Sequence, residues 1–196
     1  MSMVDLEPAT RRMTQLIGRL TDEAFDGPTP CPKYRLGDLV EHVGGLTLAF
    51  TAAATKDAGD AGAQGPSGDR SRLGDEWRTR IPRALASLAE AWRDPAAWGG
   101  MTRAGGIDLP GEVAGLVALD ELVIHGWDVA RASQQPYHCD DESLVAVHQF
   151  VSQFSGPGKE SDREGLFGPE IGVPPEAPLL DRVIGMTGRD PAWSPH

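Results

Sequence analysis

Four groups able to hold or move charge crowd into nine residues of an otherwise apolar stretch: Asp120, Glu121, His125 and Asp128 in "DELVIHGWDVARA". Buried without partners, such groups cost free energy, so they either face water or gather around a positive charge. With Glu121 as the zero direction on a helix, His125 lies at about +40°, Asp128 at about −20° and Asp120 at about −100°. Glu121, His125 and Asp128 therefore share an arc of about 60°. One reading is a wetted face carrying an ordinary i,i+4 Glu–His pair. Val117 and Ile124, at about −40° and −60°, fit it poorly, because they place β-branched apolar groups inside the polar arc. A polar site partly walled by aliphatic side chains explains the mixture better. A carboxylate and an imidazole at i and i+4 can chelate one divalent cation, the spacing that serves helical H-x-x-x-H pairs.

Two ligands need a third from elsewhere. His42, in "GDLVEHVGG", lies on the shoulder of another apolar stripe, where a lone histidine is by itself more often structural. Gly44 and Gly45 follow it inside a helical pattern, each costing about 1 kcal/mol relative to Ala. Close helix approach, or room beside a ligand, would give them a purpose. His138 in a turn-like segment, His148 on a later amphipathic stretch and His196 at the last position are weaker candidates. Cys31, in "TPCP", reads as a small buried side chain in a tight turn rather than a nucleophile.

The elements that must position these groups are helices. Apolar spacing predicts helices over 6–24, 35–55, 73–93 (with Pro82 kinking or restarting it), 110–133, 141–154 and 179–187. "WGGMTRAGGIDLPG" has room for a short extended pair, and little else alternates with period two. The expected architecture is all-α: a four-helix bundle with short C-terminal helical additions, forming one domain over 1–196 with its core at 5–155 and an extension at 156–196. The Gly-rich, apolar-poor segment 56–70 is expected to be a mobile loop.

At 196 residues, with 40% hydrophobic and 24% charged side chains, the chain has an ordinary globular balance. A net charge of −11 leaves no basic stripe for nucleic acid and disfavours an anionic membrane surface. No stretch reaches the ~18 apolar residues of a membrane span, and the first residues lack the order of a signal peptide. A cytoplasmic location is expected, with Cys31 and Cys139 as reduced thiols. Nothing compels oligomerisation, so monomer or homodimer are both open.

"TPCPKYRLGDLVEHVGG", followed by "DELVIHGWDVARASQQP" and a closing "LLDRVIGMTGRDPAW", resembles the mycothiol-dependent maleylpyruvate isomerase-like metal-binding proteins of the DinB-like superfamily. The resemblance spans nearly the whole chain. It implies a four-helix bundle holding a divalent metal, usually zinc, by three side chains from two helices. Those positions fall on His42, Glu121 and His125, the same three that the spacing nominates. It also implies a low-molecular-weight thiol, mycothiol, as cosubstrate. Asp128 would then be a hydrogen-bond partner of a ligand or an alternative ligand. Arg131, at about −80°, could pair with a substrate carboxylate, or else with Asp128 or Asp120 as a surface ion pair. Two departures stand out. The family's isomerases carry a further C-terminal domain for which 196 residues leave room only for two short helices, and Tyr34 replaces the tryptophan usual after the "TPCP" turn. The expected activity is a metal- and thiol-dependent transferase or isomerase acting on small electrophiles. The alternative is a non-enzymatic metal- or thiol-binding module, a sensor or partner protein.

Overall fold

The computed structural model describes residues 3–57 and 67–195. Four helices make the bundle: α1 (Glu7–Ile17), α2 (Leu36–Thr55), α3 (Trp77–Ala91) and, after a one-turn α4 (Pro95–Trp98) and a hairpin of β1 (Met101–Ala104) with β2 (Ile107–Pro110), the long α5 (Gly111–Ala132). α1 and α2 each pack on both α3 and α5. Met13 and Ile17 of α1, Leu39 and Val40 of α2, Ile81 and Leu85 of α3, and Leu119 and Val123 of α5 are fully buried between them. α6 (Asp141–Val151) lies on α5, and α7 (Leu179–Met186) lies on α6. The fold is the all-α bundle with short C-terminal helical additions that was expected.

Local chemistry explains most boundaries. The helix expected over 6–24 stops at Ile17, because Thr21 adopts an extended backbone that swings a separate 3-10 turn, Asp22–Asp26, into place and buries Phe25. α3 starts four residues later than expected, after Gly74 has taken a positive φ of 68°. It runs through Pro82, whose missing N–H costs one i→i−4 bond at a half-buried position. Asp140 caps α6 by accepting from the Ser143 backbone at 2.9 Å. The hairpin pairs Met101 with Pro110 and Ala104 with Ile107, closed by Gly105 and Gly106, both at positive φ as a tight two-residue turn requires.

Of the loop expected over 56–70, residues 58–66 lie outside the described residues. Its far end is pinned to α2, where Asp38 and Glu41 accept from the backbone N–H groups of Arg70 and Asp69 at 2.9 and 3.0 Å. Among the described residues no helix is long and apolar enough to cross a membrane.

Candidate metal centre

α2 and α5 are polar at few positions, and where they face one another they carry the candidate ligand side chains. His42 is buried on α2, His125 is buried on α5, and the Glu121 side chain is 30% exposed one turn before it. Nε2 of His125 lies 3.0 Å from Glu121 Oε2, and Nε2 of His42 lies 3.9 Å from the same oxygen. The two imidazoles stand nearly perpendicular, 5.1 Å between ring centres. All three donor atoms fall within 4.8 Å of one another. Donors about 2.1 Å from a tetrahedral cation are about 3.4 Å apart, so the set is close to the spacing a divalent cation needs, with no side-chain rearrangement larger than a few tenths of an ångström for the Glu121 pairs. Two imidazoles and one carboxylate also suit a zinc-like ion with open positions.

The electrostatics favour positive charge at this point. Burial opposes ionisation of Glu121, yet contacts to His125 and His42 hold its carboxyl well below the usual range. Burial likewise disfavours a charged His125, but Asp128 and Glu121 on either side push it up to about 10. Asp128 accepts from His125 Nδ1 at 2.9 Å and takes a forked pair of contacts from Arg189, with Nε 2.8 Å from Oδ1 and Nη2 2.9 Å from Oδ2. Its carboxyl is buried, and Arg189 with His125 keeps it ionised. Tyr34 lies over His42 at 4.8 Å between ring centres, its hydroxyl 3.5 Å from Nδ1.

Not every nominated residue joins the site. Asp128 stands behind His125. Arg131 turns to the C-terminal segment instead, donating from Nε to the Trp193 carbonyl at 2.9 Å and from Nη2 to the carbonyls of Trp193 and Pro191. Neither Asp128 nor Asp120 is its partner here, because the folded-back tail offers carbonyls within its reach. Cys31 is buried and forms a second cluster with His125 and Asp128. Arg189 already occupies both Asp128 oxygens, so a cation there would have to displace a guanidinium. Gly44 answers to helix approach: a Cβ there would sit 3.3 Å from Ile81 of α3. His138 is exposed and away from the site.

Two residues carry roles that spacing could not assign. Arg189 sits beyond the last helix, after Gly188 at a φ of 81°, and nothing local to "MTGRDP" says that it returns to α5. Asp120, at the edge of the helical arc, is 6% exposed, and its Oδ1 is sealed from solvent with no hydrogen-bond partner. Burial, then the neighbouring Glu121, pushes its carboxyl up to about 8.

The donor set lines a cleft of about 420 Å³, within the range of small-molecule sites. One wall is α5, through Asp120, Glu121, Ile124 and His125; another is the turn at residues 31–34; the third is the C-terminal segment at 165–169 and 187–189. A slightly larger depression of about 500 Å³ beside Glu160, Arg163 and Glu170 has neither His nor Cys in its lining, so the chemistry belongs to the first.

Comparison with known proteins bears on the fold and the family. Two uncharacterized proteins of Mycobacterium tuberculosis, from different strains, are each 30% identical over 184 residues, covering 89% of this chain and 90% of theirs. A crystal structure of a histidine-to-alanine mutant of the mycothiol-dependent maleylpyruvate isomerase superposes with a TM-score of 0.55 at 18% identity, over 76% of this chain and 70% of that one. The unmutated isomerase gives 0.52 over the same shares; at that identity the likeness is one of fold. Residues 6–130, which reach from α1 to the end of α5 and include His42, Glu121 and His125, match the family model of the mycothiol maleylpyruvate isomerase N-terminal domain, and the chain belongs to that family.

Proposed function

We propose that this chain is a divalent-metal-binding protein, with zinc at His42, Glu121 and His125, and that it acts as a thiol-dependent transferase or isomerase on small electrophiles with mycothiol as cosubstrate. The observation that carries the reading is one set of three donors from two helices in the wall of a ligand-sized cleft. A divalent cation there would supply Lewis acidity that holds a bound thiol as its thiolate near neutral pH. The protein's own groups do the rest. Asp128 accepts from His125 Nδ1, which leaves Nε2 free of its proton when it ligates. Arg189 fixes Asp128, and Tyr34 covers His42. Leu166 and Phe167 on the opposite wall narrow the approach of water to a reacting electrophile. Residues 1–196 act as one unit in this reading, since 156–196 completes the cleft.

A non-enzymatic metal- or thiol-binding module would use the same donors and differ only in turnover. Metal content per chain, measured by mass spectrometry on protein prepared without an affinity tag, tests the first step beside a His42→Ala variant. Near-stoichiometric zinc, lost in the variant, is expected. No metal in either protein, with both folded, would overturn the reading. Turnover of an electrophile by the zinc form with mycothiol then separates enzyme from binder.

A further inference from the structure

Each imidazole of the donor set has one nitrogen turned to the other donors and one turned away. For His125 the outer nitrogen is Nδ1, which meets Asp128 at 2.9 Å. For His42 the inner nitrogen is Nε2, 3.9 Å from Glu121, and the outer Nδ1 lies 3.5 Å from the Tyr34 hydroxyl. The Tyr34 ring is inclined by only 32° to that imidazole, 4.8 Å away between centres, so the stacking keeps an oxygen beside Nδ1. Tyr34 is itself held in place. The Gly68 backbone N–H approaches its oxygen. A Cβ on Gly68 would fall 3.0 Å from Tyr34 Cε1 and 2.3 Å from the Asp38 carbonyl oxygen, an approach that only glycine allows. The next two residues, Asp69 and Arg70, are fixed to α2 by Glu41 and Asp38. The hydroxyl beside His42 is therefore supported from a second segment of the chain.

We propose that Tyr34 is a positioning residue of the metal centre: its hydroxyl oxygen accepts from Nδ1–H of His42 when Nε2 of that ring holds the cation. This rests on the metal-binding reading above. A neutral imidazole carries one proton, so a lone pair given from Nε2 leaves that proton on Nδ1. Beside a cation this N–H is a stronger donor, and an oxygen that takes it fixes the tautomer and the ring. Burial pushes the phenol above its usual pKa of 10.0, so at neutral pH it keeps its own proton and accepts through its lone pairs. Because the hydroxyl rotates, it also suits the metal-free ring in the other tautomer, donating to Nδ1. A carboxylate at this place would grip His42 more firmly and add a negative charge. Asp128 behind His125 has Arg189 to balance it. Glu121 offsets one charge of a divalent cation, and the other is what attracts a thiolate. A neutral partner at His42 orients the ligand and leaves that attraction intact.

The test compares the full chain with Tyr34→Phe, which keeps the ring and removes only the hydroxyl. Zinc affinity, read by competition with a chromogenic chelator, should fall by about three- to tenfold in the variant, the worth of one hydrogen bond. NMR of the zinc forms carrying isotope-labelled histidine separates positioning from support of the fold. In wild type the Nδ1–H protons of both His42 and His125 should exchange slowly with water. In Tyr34→Phe the His42 proton should exchange faster by the same factor, while that of His125 is unchanged because Asp128 still holds it. The Tm of the metal-free variant should fall by no more than about 2–4 °C. Unchanged zinc affinity, a His42 proton that exchanges alike in both proteins, equal acceleration at both histidines, or a larger loss of Tm would overturn the assignment. Failure of wild type to take up zinc would instead overturn the metal reading, and this inference with it.

Discussion

His125 is held at both ring nitrogens, by Asp128 at Nδ1 and against Glu121 at Nε2, and Asp128 is in turn gripped by the Arg189 fork. Two effects of Arg189 on a cation at the donors oppose one another. Its positive charge repels the cation, while its grip on Asp128 orients the imidazole. Partners that orient a ligand are worth about 10–100-fold in metal affinity, and the guanidinium's charge is largely neutralised by the carboxylate it pairs with. Arg189→Gln should therefore weaken zinc binding about 10-fold or more, read by competition with a chromogenic chelator. Tighter binding would show that charge dominates. The pH dependence follows from Asp128. Its folded carboxyl is held below the ordinary value of 3.8, so the stability it contributes is present above that value and is lost as the pH falls through the folded one. The stability gap between the metal-free wild type and Arg189→Gln should be widest near neutrality and close on acidification.

The helices that carry the site are readable because their periodicity is strong. α2 was expected over 35–55 and spans Leu36–Thr55; α5 was expected over 110–133 and spans Gly111–Ala132. α1 was overextended, because a continuing apolar pattern hid the turn at Gly18 and Thr21 that lets Phe25 reach the core. Crowding around the glycines of these helices was out of reach, since it depends on which helix lies opposite. A Cβ on Gly115 of α5 would fall 2.6 Å from Trp98 and 2.9 Å from Trp92, two rings already packed edge to face. Gly115→Ala should cost about 1–3 kcal/mol by overpacking, seen as a lower urea midpoint. Gly44→Ala meets the end of the Ile81 side chain at 3.3 Å and the Arg80 guanidinium at 3.6 Å, and should cost less, offset by the better helix propensity of Ala.

The C-terminal segment makes the molecule more than a bundle. Arg131 ties the carbonyls of Pro191 and Trp193 to the end of α5, and Arg189 ties the residues after α7 to its middle. Cleft and core therefore share one set of supports. Deleting 187–196 should lower Tm and weaken zinc binding together, because Asp128 would lose the Arg189 fork that fixes it against His125. Calorimetry and the same chelator competition check the pair; a stable truncated protein with full zinc affinity would show that the tail only covers the site.

Helical periodicity by itself determined the bundle, the arc shared by Glu121, His125 and Asp128, and the nomination of His42, because side chains a fixed number of residues apart on one helix have a fixed angular relation. The exclusion of a plain solvent face was also legible, in Val117 and Ile124. Only the tertiary structure decided which groups pair across the site. Arg131 reaches carbonyls 60 and 62 residues on, in the tail, and Arg189 crosses 61 residues of sequence to reach Asp128. Partnership over such separations is settled by how the chain closes on itself, and neither spacing nor composition carries that information.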